Sequence, residues 1–268
     1  MKLGCIGYGN MASAILGGIL KEHLLSPNEI FVFDRCNEKL KIASENGISV
    51  LSSENDVAMK SDMILIAVKP KDFPVVLPLL EAVKGSDKTI ISIAAGISIS
   101  AIISVLGEDT SVVRAMPNTP LLLGKGTTAL CRSNAATGIG YDFAKQIFSC
   151  AGTVYELEEN LFDHVINING SSPAYIYLFA KTIAEFSEQQ GGVPYETALA
   201  MLCDTLCGSA EMLKNSGKSA DELIAAVSSP GGTTVAALQA FEANGFTESL
   251  RSGLAACVRR AEEIGRAK

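Results

Sequence analysis

The chain opens on a short apolar run, Leu3–Gly7, which gives way at Gly7-Tyr8-Gly9-Asn10-Met11-Ala12 to a helical pattern over Met11–Lys21. This G-x-G-x-x-A order between a strand and a helix constrains the fold more than any other stretch. Gly7 permits the tight turn, Gly9 lets a pyrophosphate approach the backbone, and small Ala12 allows close helix-strand packing. An anion can then lie against the positive helix N-terminus. The spacing alone is weakly diagnostic. Asp34 strengthens it, because it ends the next apolar run, Ile30–Asp34, and lies 34 − 12 = 22 residues after Ala12. An acid about 20 residues on is expected to accept from a ribose hydroxyl.

Gly7, Tyr8, Gly9, Asn10, Met11, Ala12 and Asp34 are therefore candidate cofactor contacts, and the cofactor is NADPH or NADH. Asp34 favours NADH and would repel a 2′-phosphate, whereas Arg35 could bind that phosphate or stack on adenine. Further apolar runs at Met63–Val68, Ile90–Ala94, Ser111–Ala115 and Thr127–Cys131 alternate with helical patterns at Asn37–Asn46 and Pro74–Val83. Such alternation builds a parallel sheet covered on both faces, an α/β domain of Rossmann type. Ligands bind at the carboxyl ends of its strands. Ala67-Val68-Lys69-Pro70, Ala94-Ala95-Gly96 and Asn118 within Met116-Pro117-Asn118-Thr119-Pro120 fall at such ends. Lys69 is either a solvated surface lysine or part of the nicotinamide pocket.

After about Glu156 the pattern turns helical throughout. Ser172–Gln190 carries an apolar stripe, and Pro194–Asn215 is apolar around most of its circumference. A helix of that kind is normally buried from several sides. The boundary is expected near 158, with residues 1–158 as the dinucleotide-binding domain and 159–268 as a helical one. The 268 residues suit two domains at ~150 each. Hydrophobic residues at 48% against 19% charged exclude intrinsic disorder. A net charge of 22 − 29 = −7 gives nucleic acid no dense basic surface, so small molecules or copies of the chain are the expected partners. The uncharged run Ile90–Leu106 is interrupted by Gly96 and four serines and reads as strand, turn and helix rather than a membrane span. Seven scattered cysteines without a C-x-x-C pair, and two histidines, offer no metal cluster. Reduced thiols and a cytoplasmic location are the simplest expectation.

Ser229-Pro230-Gly231-Gly232-Thr233-Thr234 runs into a helical pattern over Val235–Ala243. It is either an ordinary capped turn or an anion-sized nest of uncovered N–H groups at a helix start, with the threonines as caps.

With both signatures in hand, the chain resembles pyrroline-5-carboxylate reductases from end to end. Ile6–Ala12, Ala67–Pro70, Arg114–Pro120, Gly170–Tyr175 and Val227–Thr234 carry the resemblance. The Met-Pro-Asn-Thr-Pro and Ser-Pro-Gly-Gly-Thr-Thr stretches are the most specific. The resemblance implies NAD(P)H-dependent reduction of the ring C=N of pyrroline-5-carboxylate to proline. It implies that Ser229, Gly231, Gly232, Thr233 and Thr234 hold the substrate, with the Thr234 hydroxyl catalytic at the ring nitrogen. It further implies an adenosine contact at Asn55 or Glu54 and an all-α domain that dimerises. Dimers are expected to assemble into a decamer, with each substrate site completed at the dimer interface. The chemistry agrees: a cyclic imine needs hydride at carbon and a donor at nitrogen, with no nucleophile, metal or histidine base. Two alternatives are a β-hydroxyacid dehydrogenase using Lys181 and a non-catalytic NAD(P)-binding regulatory protein.

Overall fold

A computed structural model describes residues 1–266. Among these, eight strands form one sheet in the order β3-β2-β1-β4-β5-β6-β7-β8. Chain order runs β1 (Leu3–Ile6), α1 (Asn10–Lys21), β2 (Ile30–Phe33), α2 (Asn37–Glu45), β3 (Ser49–Val50), α3 (Glu54–Lys60), β4 (Met63–Ile66) and α4 (Phe73–Val76). There follow β5 (Thr89–Ser92), α5 (Ile99–Leu106), β6 (Ser111–Pro117), β7 (Gly126–Arg132), α6 (Ile139–Ser149) and β8 (Gly152–Glu156). Pairing is parallel except between β6 and β7. β1, β4 and β5 are buried at every position, as continuous apolar strands covered on both faces must be. Alternate residues feed two cores. One gathers Leu3 and Cys5 with α1, α2 and α6, and the other gathers Ile6 with α3, α4 and α5. The order reverses at β1, between β2 and β4, and the ligand crevice of such sheets opens at that point.

One expected helix is broken. In place of a helix over Pro74–Val83, α4 stops at Val76 and two short 3-10 turns follow, Leu77–Leu79 and Glu81–Val83. Pro78 has no N–H to continue the ladder, and its ring would clash with the carbonyl four residues earlier. α3, α6 and the strands β3 and β8 lie in stretches where the sequence carried no reading. β3 has two residues, and β8 is only partly buried, so neither has a strong apolar pattern.

The remaining elements are α7 (Phe162–Val165), a π turn at Ile166–Gly170, α8 (Ser172–Gly191), α9 (Tyr195–Asn215), α10 (Ala220–Ala226), α11 (Thr233–Ala243) and α12 (Phe246–Arg266). By packing, the chain forms two units. One runs from Met1 to Pro173 and takes up the chain again from Cys257, and the other is Ala174–Ala256. The packing division thus falls later than residue 158, because Phe162 and Val165 of α7 enter the core of the sheet domain. In the second unit Pro194–Asn215, too apolar to be comfortable alone, is not covered within one chain. α9 has no buried residue, and Met201 and Leu213 are 64% and 57% exposed. On α8, Phe186 is 65% exposed. Helices this apolar, left uncovered, are the signature of a protein-protein interface.

Candidate cofactor groove and substrate loop

The β1–α1 turn is tied to the sheet on both sides. The Gly7 N–H donates to Phe33 O at 2.8 Å, and the Ala67 N–H donates to Ile6 O at 2.8 Å. Gly7 adopts φ +90, and a Cβ there would stand 2.9 Å from the Ala67 carbonyl oxygen. Tyr8 and Ala12 are buried beneath the turn. Gly9 is the N-cap of α1, with no side chain capping it, and a Cβ on it would meet nothing within 4 Å. The first N–H groups of α1 therefore face an open surface at a positive helix end, which fits a pyrophosphate.

Beside that turn lies a cavity of about 350 Å³. Of the expected cofactor residues, Gly7, Gly9, Asp34, Arg35, Ala67, Val68 and Lys69 line it. Lys39, Lys71, Glu54 and Asp72 also line it, and the sequence reading missed Lys39, Lys71 and Asp72. Arg35, Lys39, Lys69 and Lys71 thus stand against Asp34, Glu54 and Asp72, a slight excess of cations around a site for an anionic dinucleotide. Tyr8, Asn10, Met11, Ala12, Asn55, Pro70, Ala94, Ala95, Gly96 and Asn118 do not line this cavity.

Asp34 is less free than its spacing suggests. Its Oδ2 accepts from the Tyr8 N–H at 2.7 Å and from Lys39 Nζ at 3.2 Å, and its Oδ1 accepts from the Cys36 N–H at 2.8 Å. Burial alone would raise its pKa. The Tyr8 and Cys36 N–H groups and the Lys39 ammonium outweigh burial and hold it below the usual carboxylate range. A carboxylate has about four acceptor positions, so roughly one remains for a ribose hydroxyl. Arg35 projects outward, its side chain 60% exposed, and pairs with Glu54 at 3.6 Å.

The other expected contacts are dispersed. Asn55 lies on α3, where its Nδ2 approaches Met59 Sδ at 3.7 Å, while its neighbour Glu54 reaches the cavity. Asn118 is buried, and its Oδ1 accepts from the Thr127 N–H at 2.8 Å, pinning the turn between β6 and β7. Ala94, Ala95 and Gly96 form the turn from β5 into α5. Gly96 has φ +72, and a Cβ there would touch Ile264 of α12 at 2.8 Å. Arg114 of β6 is buried and paired with Glu159 at 3.0 Å and Asp163 at 3.7 Å. Glu159 also accepts from the Ile99 N–H at 2.7 Å and so caps α5.

In the second unit, Ser229–Thr234 leads into α11. Gly231 has φ +70, and the Gly232 N–H donates to Ser229 O at 2.9 Å. The cap differs from the expectation. Gly232 is the N-cap, without a capping side chain, and Thr233 and Thr234 are already the first helical residues. Their N–H groups are therefore among the unsatisfied donors of the helix start. Lys181, the residue a hydroxyacid dehydrogenase would need, is 59% exposed and paired with Glu185 at 3.6 Å, which disfavours it as a buried acid or base.

The dimerisation domain of pyrroline-5-carboxylate reductase matches residues 159–264 as a family model. The model described as NADP oxidoreductase coenzyme F420-dependent matches residues 2–96. The pyrroline-5-carboxylate reductase of Aquifex aeolicus is 38% identical over 92% of this chain and 91% of its own length. That of Escherichia coli is 32% identical over 99% and 98%. Among solved structures, the Streptococcus pyogenes 1-pyrroline-5-carboxylate reductase superposes with a TM-score of 0.89 at 31% identity, covering 98% of each chain. A Plasmodium falciparum pyrroline carboxylate reductase with NADP bound gives 0.90 at 28%, covering 99% of this chain and 98% of that one. With a glycine turn, a charged groove and a glycine-rich loop at a helix start behind these likenesses, the chain belongs to the pyrroline-5-carboxylate reductase family.

Proposed function

We propose that the protein reduces the C=N bond of 1-pyrroline-5-carboxylate to L-proline with NADPH or NADH, the closing step of proline biosynthesis. The observation that carries this reading is the pairing, in one chain of this family, of a dinucleotide groove with an uncapped Gly231-Gly232 loop at the start of α11. The bound nicotinamide supplies the hydride. The chain's own groups bind and orient. Gly7, Gly9 and the N-terminus of α1 take the pyrophosphate, with Tyr8, Asn10, Met11 and Ala12 shaping the turn. Asp34, Arg35, Lys39 and the α3 start at Glu54 and Asn55 take the adenosine ribose. Ala67–Pro70, Ala94–Gly96 and Asn118 border the nicotinamide end.

The substrate carboxylate needs N–H donors at a positive helix end. Gly231, Gly232 and Thr233 supply the backbone and Ser229 a hydroxyl. Thr234 donates from its hydroxyl to the ring nitrogen as that atom gains electron density. Residues 159–268 act as the dimerisation and substrate-binding domain, with each substrate site completed at the dimer interface. The exposed apolar faces of α8 and α9 support a homodimer, and we extend this to dimers assembled into a decamer in the cytoplasm. Light scattering on the purified protein checks the assembly: a ten-chain mass is expected, a two-chain mass removes the decamer, and a monomeric mass removes both.

Initial rates with NADH and NADPH, in parallel on pyrroline-5-carboxylate, test reaction and cofactor together. Oxidation of at least one is expected. In Asp34→Ala the NADPH-to-NADH rate ratio should rise several-fold, because the change removes an acceptor for the 2′-hydroxyl and frees Lys39 for a 2′-phosphate. An unchanged ratio would make Asp34 purely a tie between Tyr8, Cys36 and Lys39.

A further inference from the structure

Asn169 lies in the π turn Ile166–Gly170 and is 2% exposed. Its Nδ2 donates to the main-chain carbonyl of Met116, one residue before the end of β6. That carbonyl can only accept, so it fixes the amide with its NH2 toward Met116 and its oxygen away. Asn169 Oδ1 is buried and has no hydrogen-bond partner among the described residues. A buried acceptor without a partner costs about 1–3 kcal/mol, so its presence calls for a reason, of which a bound group that completes it is one. A π turn, itself uncommon, is frequent at functional positions.

The sheet register places the Met116 end of that bond at the carboxyl edge of the sheet. Ser92 of β5 pairs with Arg114 of β6, so Met116 stands level with Ala94, where the Ala94–Gly96 turn leaves the sheet. β1, β4, β5 and β6 run parallel, and their carboxyl ends form one edge. The Gly7 turn and the cofactor groove open at that edge. Asn169 belongs to the same compact unit.

We propose that Asn169 Oδ1 accepts a hydrogen bond from an N–H donor at the reacting end of the bound cofactor, the carboxamide NH2 of the nicotinamide ring. This rests on the reading of the groove as a nicotinamide dinucleotide site. Asn169 thereby links two elements through one amide. Its NH2 fixes the end of β6, and its oxygen fixes the rotation of the ring that presents the hydride. The protonated ring nitrogen of the imine also carries an N–H, and the experiment separates the two donors.

The test compares the Kd of NAD(P)H with that of its 3-acetylpyridine analogue, in which a methyl ketone replaces the amide and the donor is gone. The wild type should bind the analogue about tenfold more weakly, one neutral hydrogen bond. In Asn169→Leu and Asn169→Ala the two cofactors should bind alike. General loosening of the site cancels in this ratio, so a structural role alone does not move it. Should the apolar variants fail to fold, the wild type alone still decides, because equal binding of the two cofactors by it overturns the proposal. An unchanged ratio in the folded apolar variants overturns the proposal. If that unchanged ratio comes with a tenfold rise in KM for the imine, the donor is the substrate nitrogen, and the cofactor assignment is equally overturned. Absence of any imine reduction by the wild type would instead count against the functional reading, and the Kd ratio would still decide the role of Asn169.

Discussion

Thr234→Ala lowers kcat on pyrroline-5-carboxylate by about a hundredfold, the scale seen when one donor to a developing charge is removed. KM for NAD(P)H stays where it was. Hydride addition to the ring carbon moves an electron pair onto the ring nitrogen, so a donor at that nitrogen is worth more in the transition state than in the bound substrate. A loss confined to kcat is the signature of such an interaction. The fold gives the experiment a clean background. Thr234 lies in the first turn of α11, whose cap is the Gly232 backbone rather than a threonine hydroxyl. Alanine is the best helix former, so the helix survives the change. Thr234→Ser retains a hydroxyl and should retain most of the rate. Steady-state rates on the three proteins decide the matter, and an unchanged kcat in Thr234→Ala removes that residue from the mechanism.

Gly7→Ala should weaken NAD(P)H binding by at least about a hundredfold and lower the melting temperature as well. An L-residue forced into φ +90 carries strain of about 1–3 kcal/mol. The new Cβ would also lie 2.9 Å from the Ala67 carbonyl oxygen and 3.0 Å from its carbon. These are backbone atoms at the end of β4, held by the Ala67 N–H bond to Ile6, so the clash falls on the turn. Displacing the turn pulls the open N-terminus of α1 away from the pyrophosphate, and charge-assisted bonds of about 1.5–3 kcal/mol each are lost. Gly9→Ala provides the contrast. Gly9 has φ −89 and open space about its Cβ position, so that variant should melt like the wild type and still bind the cofactor less tightly. Fluorescence titration and thermal melts on the two variants separate strain from lost access. Wild-type affinity in Gly7→Ala would mean that the turn does not carry the pyrophosphate.

Much of the candidate site was legible because it is written in local spacing. Gly7, Gly9 and Ala12 meet one turn and one helix start, so a motif within six residues reports them directly. Asp34 was found by its distance from that motif, but its bond to Tyr8 arises only when β2 pairs with β1, and those to Cys36 and Lys39 only when the chain turns into α2. Lys39 was missed because a lysine on an amphipathic helix reads as a solvated face. Asn169 was missed for a stronger reason. Its partner Met116 is 53 residues away in the chain, and no local pattern encodes that meeting. The helix expected over Pro74–Val83 failed on a single residue, Pro78, whose missing N–H outweighed an apolar pattern.

The sequence by itself determined the class of the protein. Short apolar runs alternating with helices point to a covered parallel sheet, the glycine turn together with Asp34 points to a dinucleotide at its edge, and the later helices are too apolar for one chain to cover. Those are consequences of period, residue size and backbone freedom between near neighbours. Tertiary structure alone decided which charges meet in the groove, how Asp34 is held, that Gly232 rather than a threonine caps α11, and that the Asn169 oxygen lies buried at the carboxyl edge of the sheet. The α11 cap turns on the local path from Ser229 to Gly232, but the others depend on groups brought together from distant parts of the chain by strand register and helix packing, and no spacing along the chain carries that information.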